Sequence, residues 1–218
     1  MSIKSRNKMP LAAMLLLIAL TCHGQIVTYW AAPTAAGSGD GSSAANAAGY
    51  LNATFWSTVQ GQLSSSDVNV NFQNGNYSAG MLALTNMGSP LHQLSLQASN
   101  LYGPLFSTTG NTIVNIVGSQ NIKFYGIQFT GPCSSWGVDC QPNYLRPCRD
   151  LEFSYCRFQD LTNAYYGAIG LVNGVRDVLV DNCTFTNLGY GTSGTAHFVY
   201  GSHNIVGVQL LNSSFTDC

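Results

Sequence analysis

Four stretches of eight residues repeat one pattern of apolar and polar positions: 122–129, 151–158, 178–185 and 208–215. Their first column is Ile122, Leu151, Val178 and Val208, and their third is Phe124, Phe153, Val180 and Leu210. The sixth is Ile127, Cys156, Cys183 and Ser213, and the last is Phe129, Phe158, Phe185 and Phe215. Columns one and three alternate as one face of a strand does, and so do columns six and eight. Between them the phase slips by one, at Gly126, Tyr155, Asn182 and Asn212. A one-residue bend of that kind favours positive φ, which Gly and Asn tolerate best; Tyr155 is the misfit.

The octets start 29, 27 and 30 residues apart. Each repeat reads as one coil: two short strands with a sharp bend, then a return holding a third strand. The third strands are expected in 113–117, 169–173 and 198–200. The returns Gly118-Ser-Gln-Asn121 and Gly201-Ser-His-Asn204 look alike. Stacked about 4.8 Å apart, such coils bury each column as a ladder. The repeat carries no 3.6-residue period, and a propeller blade would need a fourth strand. The expected fold is all-β, a right-handed parallel β-helix with a short N-terminal capping helix.

Residues 25–110 read as the N-terminal cap and first coils, and 111–218 as further coils. Val27–Trp30 is a first strand, 36–48 a Gly/Ser/Ala-rich loop, and Tyr50–Leu63 an amphipathic helix with Phe55, Val59 and Leu63 on one side. Val68, Val70 and Phe72 alternate before a turn at Asn74–Tyr77, and 81–84 and 94–96 continue the strands. The last octet ends three residues before Cys218 with no C-terminal cap in sight, which predicts further coils beyond it.

Charge and targeting narrow the function. Lys4, Arg6 and Lys8 precede an apolar run, Leu11–Leu20, too short to span a bilayer, and small residues lead to a cut after Gly24. Residues 1–24 therefore read as a signal peptide, and the product as secreted: periplasmic, extracellular or at the cell surface, with no transmembrane span after cleavage. A lipoprotein cut before Cys22 is disfavoured by the bulky Leu20. Five basic residues then remain against nine acidic ones, a net charge of about −4. Without a basic stripe, nucleic acid is not an expected partner. The chain has no C-x-x-C pair and no zinc-like His spacing. Cys133, Cys140 and Cys148 crowd one polar stretch, where a disulfide is expected in an exported chain.

The run Tyr29-Trp-Ala-Ala-Pro33, Gly37-Ser-Gly-Asp-Gly-Ser-Ser43, Val68–Phe72 and Asn74-Gly-Asn-Tyr77 is similar to the opening of many exported pectate-lyase-like β-helix proteins. Asn182-Cys-Thr-Phe185 and Asn212-Ser-Ser-Phe215 resemble the coil endings of that superfamily. The resemblance covers most of the mature chain. It implies a protein acting on extracellular polysaccharide, a lyase on acidic, uronate-containing glycan. The alternative is a non-catalytic glycan-binding or cell-surface module, because this fold hosts both.

Candidate residues follow, each beside a plainer role. Arg149 and Arg176 precede their octets identically; their planar forks suit uronate carboxylates, and Asp150 and Asp177 offer them ordinary pairing instead. Tyr165 and Tyr166, with Tyr190, Trp136 and Tyr200, are flat rings for sugar stacking or for packing under loops. His197 and Tyr200 are candidate proton-movers, although a regular strand points residues three apart to opposite faces. Lys123, the one lysine of the mature chain, is the candidate base that the resemblance implies; Glu152 is its cross-strand neighbour. Asp160 and Asp217, with Asn187 between, supply oxygens of the kind calcium takes in related lyases, or cap their own turns.

Overall fold

The computed structural model describes residues 25–162, 167–189 and 197–217. Residues 1–24, read above as a signal peptide, and Tyr165, Tyr166, Tyr190 and Cys218 lie outside the described residues. Each coil folds as the octets demand, with its apolar columns inside. The first sheet holds β1 (Ile26–Ala32), β2 (Ala48–Gly49), β3 (Asp67–Phe72), β6 (Leu94–Ala98), β9 (Gln120–Tyr125), β12 (Arg149–Ser154), β15 (Arg176–Asp181) and β18 (Val206–Leu211). The second holds β4 (Gly75–Tyr77), β7 (Pro104–Ser107), β10 (Gln128–Thr130), β13 (Arg157–Gln159), β16 (Thr184–Thr186) and β19 (Ser214–Thr216). The third holds β5 (Leu82–Thr85), β8 (Thr112–Val117), β11 (Trp136–Gln141), β14 (Gly167–Val172) and β17 (His197–Ser202). All pairing is parallel and in register, coil on coil. The architecture is a right-handed parallel β-helix.

The last octet column is the spine. Phe129, Phe158, Phe185 and Phe215 stack with successive centroids 4.8, 4.9 and 5.1 Å apart. Phe106 and Tyr77 extend the column downward, 4.5 Å from each other. Phe124 and Phe153 form a second stack at 5.1 Å. Truncating a fully buried ring such as Phe158 to Ala is expected to cost about 3–5 kcal/mol.

The predicted bend is present in every octet. Gly126, Tyr155, Asn182 and Asn212 have φ of 71°, 53°, 52° and 49°. Tyr155 is held there by the ladder: its N–H donates to Asp181 O at 3.0 Å, as Gly126 N–H donates to Ser154 O one coil earlier. Its ring also lies 5.4 Å from that of Tyr125. Those contacts offset the roughly 1–2 kcal/mol that a left-handed Tyr costs.

The helix α1 (Ala53–Gln62) is shorter than expected because Asn52 caps it, accepting from Thr54 N and Phe55 N at 3.0 and 3.2 Å. Phe55, Trp56, Val59 and Leu63 are buried beside the first coils, with the Phe55 ring edge-on to Tyr29. At the other end, Val206, Leu210 and Phe215 of the last described coil are exposed. No helix among the described residues is long and apolar enough to cross a membrane.

Some details differ from expectation. Asn74–Tyr77 contains strand β4 rather than a plain turn, and Pro104–Ser107 is an unforeseen strand. Gly118 matches His203, not Gly201: both follow the third-sheet strand with φ near 57°. The cysteine-rich stretch is not a polar loop. It contains β11, and Cys133, Cys140 and Cys148 are buried free thiols. Burial pushes the Cys133 thiol up to about 12.

Candidate functional site

The third sheet places unusual side chains on its outer face. Ile169 and Val199 lie inside with Val138, while the next rung, Asn115, Asp139, Gly170 and Tyr200, points outward. Cys140 and Leu171 follow inside, then Gln141, Val172 and Ser202 outside. One rung breaks the alternation: Phe198 and Val199 both pack against the core. The pairing ladder skips the corresponding rung, Gly137–Ala168–Phe198, in all three coils. A Cβ on Gly137 would sit 2.7 Å from Ala168 O, so this tight step suits glycine.

That phase slip brings Trp136 and His197 onto the face of Tyr200. The His197 and Tyr200 rings meet at 5.1 Å, and Trp136 and Tyr200 at 5.6 Å. A regular strand would point His197 and Tyr200 to opposite faces, and the slipped rung is what brings their rings together. Gly170 completes the arrangement. A Cβ there would come within 2.6 Å of the Trp136 ring, so the indole lies where a side chain would otherwise stand.

Trp136, Asp139, Gln141, Val172, Tyr200 and Ser202 line a surface cleft of about 310 Å³. Asp139 is its chemical centre, and sequence reasoning missed it. Its carboxyl has no charged partner among the described residues: Oδ2 accepts from Gln141 Nε2 at 3.4 Å, and Oδ1 is buried without a hydrogen bond. Burial pushes its pKa above the ordinary carboxylate value. Asn115 Oδ1, directly opposite on the neighbouring coil, is also buried and unpartnered. A lone Asp between two strand-like hydrophobic positions was the available signal, and it is a weak one.

The other candidates lie elsewhere. Lys123 is on the outer face of the first sheet, its Nζ 2.7 Å from Glu152 Oε1 and 5.8 Å from the Tyr125 ring centre. It does not join His197 and Tyr200. Arg149 and Arg176 oppose each other in register where the third sheet turns into the first. With Arg146 and Tyr144 they line a second cleft of about 400 Å³, reached from Gln141 through the 142–147 loop. Arg149 Nε donates to Gln120 Oε1 at 3.2 Å and lies 3.4 Å from Asp150 Oδ2. Arg146 donates to the carbonyls of Asn86 and Gly88.

Asp160 and Asp217, like Asn187, sit at left-handed turn positions with φ of 53°, 53° and 48°. Asn187 Nδ2 donates to Asp160 Oδ1 at 2.7 Å, and Gln159 Nε2 to Oδ2 at 3.3 Å. Each Asp160 oxygen thus accepts one amide hydrogen, as a turn-capping carboxylate does. No cluster of three or more metal-ligating side chains occurs among the described residues.

No protein-family model matches the chain, and neither does any curated protein. Among solved structures it is similar to the crystal structure of pectate lyase Pel9A, with a TM-score of 0.65 at 13% identity over 87% of this chain. The fold is a pectate-lyase-like β-helix. The chain corresponds to 47% of the length of that protein.

Proposed function

We propose that this pectate-lyase-like β-helix acts on polysaccharide through the third-sheet cleft. The observation that carries the reading is the line of Trp136, Tyr200 and His197 rings beside a half-buried carboxyl whose Oδ1 has no hydrogen-bond partner. Flat rings suit the apolar face of a pyranose, and the cleft's amides and hydroxyls suit its oxygens. The arginine cleft at the end of the same strands suits uronate carboxylates, with Arg176 the arginine best placed to accept one.

The chemistry favoured there is β-elimination. Among the described residues the third-sheet strands carry one carboxyl, Asp139, whereas glycoside hydrolysis by the usual routes needs a facing pair. In elimination, Tyr200 or His197 takes the proton α to the uronate carboxyl, the bond to the 4-oxygen breaks, and a C4–C5 double bond forms. The departing oxygen takes a proton from the partner of the pair. The alternative, a glycan-binding module without catalysis, is favoured by Lys123, whose ion pair with Glu152 removes it from the role of free base.

The test is to incubate the full chain with uronate polymers and with neutral glycans, following retention and the ultraviolet absorbance of an unsaturated product. Absorbance that Tyr200→Phe and His197→Ala abolish supports the lyase. Retention without absorbance, lost in Trp136→Ala, supports the binding module. Neither signal on any glycan overturns the proposal.

A further inference from the structure

The coil interior holds five described cysteines as buried thiols, and two pairs are near enough to perturb each other: Cys140 with Cys148, and Cys156 with Cys183. The two pairs are not equivalent. Cys156 and Cys183 oppose each other on adjacent coils, because Ser154–Asp181 and Arg157–Thr184 flank them in register. Each of their thiols is within hydrogen-bond reach of backbone carbonyls. Cys156 Sγ lies 3.6 Å from Phe124 O and 3.5 Å from Ser154 O, and Cys183 Sγ lies 3.3 Å from Phe153 O and 3.5 Å from Asp181 O. Parallel rungs about 4.8 Å apart also hold the two Cβ atoms farther apart than the roughly 3.5–4.5 Å that a disulfide spans.

Cys140 and Cys148 face each other across a corner instead. Cys140 lies on β11, paired with Ile116 on one side and Leu171 on the other. Cys148 immediately precedes β12, and its sulfur is 4.0 Å from Ile116 O, the carbonyl of Cys140's own rung neighbour. The Cys148 thiol is the neighbouring side chain that most raises the Cys140 thiol's pKa, after burial. No strand register fixes their Cβ separation, since the chain between them is the 141–147 loop. That loop carries fully exposed Tyr144 and Leu145, and it brings Arg146 into the arginine cleft.

We propose that Cys140 and Cys148 close to a disulfide that staples the 141–147 loop, while Cys133, Cys156 and Cys183 remain thiols. In this step each thiol gives up its proton, the sulfur–sulfur bond forms, and two electrons pass to an oxidant of the disulfide class, which leaves as two thiols. Burial keeps the Cys140 thiol protonated, so the exchange runs while the coil is forming or open rather than in the closed interior. The bond fixes one wall of the arginine cleft and anchors the strand end that carries Asp139 and Gln141.

The test uses the full chain, unfolded and refolded in a redox buffer of reduced and oxidised glutathione. Remaining thiols are alkylated without reduction, and the chain is digested with chymotrypsin, which cuts at Tyr144 and Leu145 between the two cysteines. Mass spectrometry is expected to find the Cys140 and Cys148 peptides joined, with Cys133, Cys156 and Cys183 alkylated. Full alkylation of Cys140 and Cys148 in the refolded chain overturns the proposal, and so does linkage of either one to another cysteine. The measurement is made on the unmodified sequence, so no variant has to fold. Cys140→Ser serves only to show that Cys148 then appears alkylated.

Discussion

The outer faces of the first and third sheets come from the same coils, with strands of similar length in the same parallel register. Their side chains are treated differently. On the first sheet, Lys123 pairs with Glu152 at 2.7 Å, Ser154 donates to Glu152, and Gln97 Nε2 donates to Asn71 Oδ1 at 2.7 Å. Polar groups there satisfy one another from coil to coil. On the third sheet, Asn115 Oδ1 and Asp139 Oδ1 are buried on facing rungs without a hydrogen bond, and Gly170 leaves its rung empty for the Trp136 ring. A face that completes its own hydrogen bonds is scaffold. A face that leaves buried acceptors beside stacked rings has polarity in hand for something else, and unsatisfied groups are costly enough to need a reason.

Breaking the third face has the largest expected effect. Trp136→Ala removes a ring that is 5% exposed and is expected to lower stability by about 3 kcal/mol, near the low end for a buried aromatic because one side is a cleft. Denaturant unfolding checks the loss, and glycan retention should vanish with it. Gly170→Val is next. It puts a branched side chain where the indole lies, at an expected cost of about 1–3 kcal/mol from overpacking. The Trp136 ring must then shift, so a change in tryptophan fluorescence accompanies the lower midpoint. Unchanged fluorescence would mean that Gly170 does not position the ring.

Asp139→Asn sharpens the comparison through pH. The folded-state pKa of Asp139 is raised above its unfolded value near 3.8, so the folded state holds the proton longer. Stability from this group therefore falls as pH rises from about 3.8 through the folded pKa, and then levels off. From the opposing elements, Tyr200 is the titratable group on its rung; Asn115 and Gly170 carry no charge. The expected result is that Asp139→Asn equals the parent in acid and becomes the more stable of the two as pH rises. Parallel stability curves at every pH would place Asp139 in contact with water rather than in a desolvated pocket.

The interior was readable in the sequence because it repeats. Phe129, Phe158, Phe185 and Phe215 recur in one column, and the bend at Gly126, Asn182 and Asn212 recurs with them, so each coil reports on the others. The left-handed Tyr155 followed from the register even though its residue type argued against it. Strand β11 was hidden because its inward residues include two small or polar-looking positions, Gly137 and Cys140, and because proline-rich 142–147 follows it. The site was less legible still. The approach of His197 to Tyr200 depends on a slipped rung at Gly137, Ala168 and Phe198, a feature of backbone geometry that no spacing rule encodes. Asp139 acquires its character from burial and from missing partners, and neither can be read from one residue letter. Lys123 and Glu152 were paired correctly because cross-strand neighbours on successive octets are fixed by the repeat itself.

That pair supplies the smallest expected effect and the cleanest control. Lys123 and Glu152 are about a quarter to a third exposed, so solvent screens their attraction, and an ion pair of this kind contributes about 0–1 kcal/mol. The double change Lys123→Met with Glu152→Gln keeps the side-chain length over the first sheet while removing both charges. Ser154 can still donate to the side-chain amide oxygen that replaces the Glu152 carboxylate, so no buried group loses its partner. Stability should move by less than about 1 kcal/mol, and the loss should shrink further in high salt. Glycan retention and any elimination product should be unaltered, because this face lies apart from the rings of Trp136, Tyr200 and His197. A collapse of activity with stability preserved would instead make Lys123 a working base, move the site to the first sheet, and leave the unpartnered oxygens of the third face without the role argued for them.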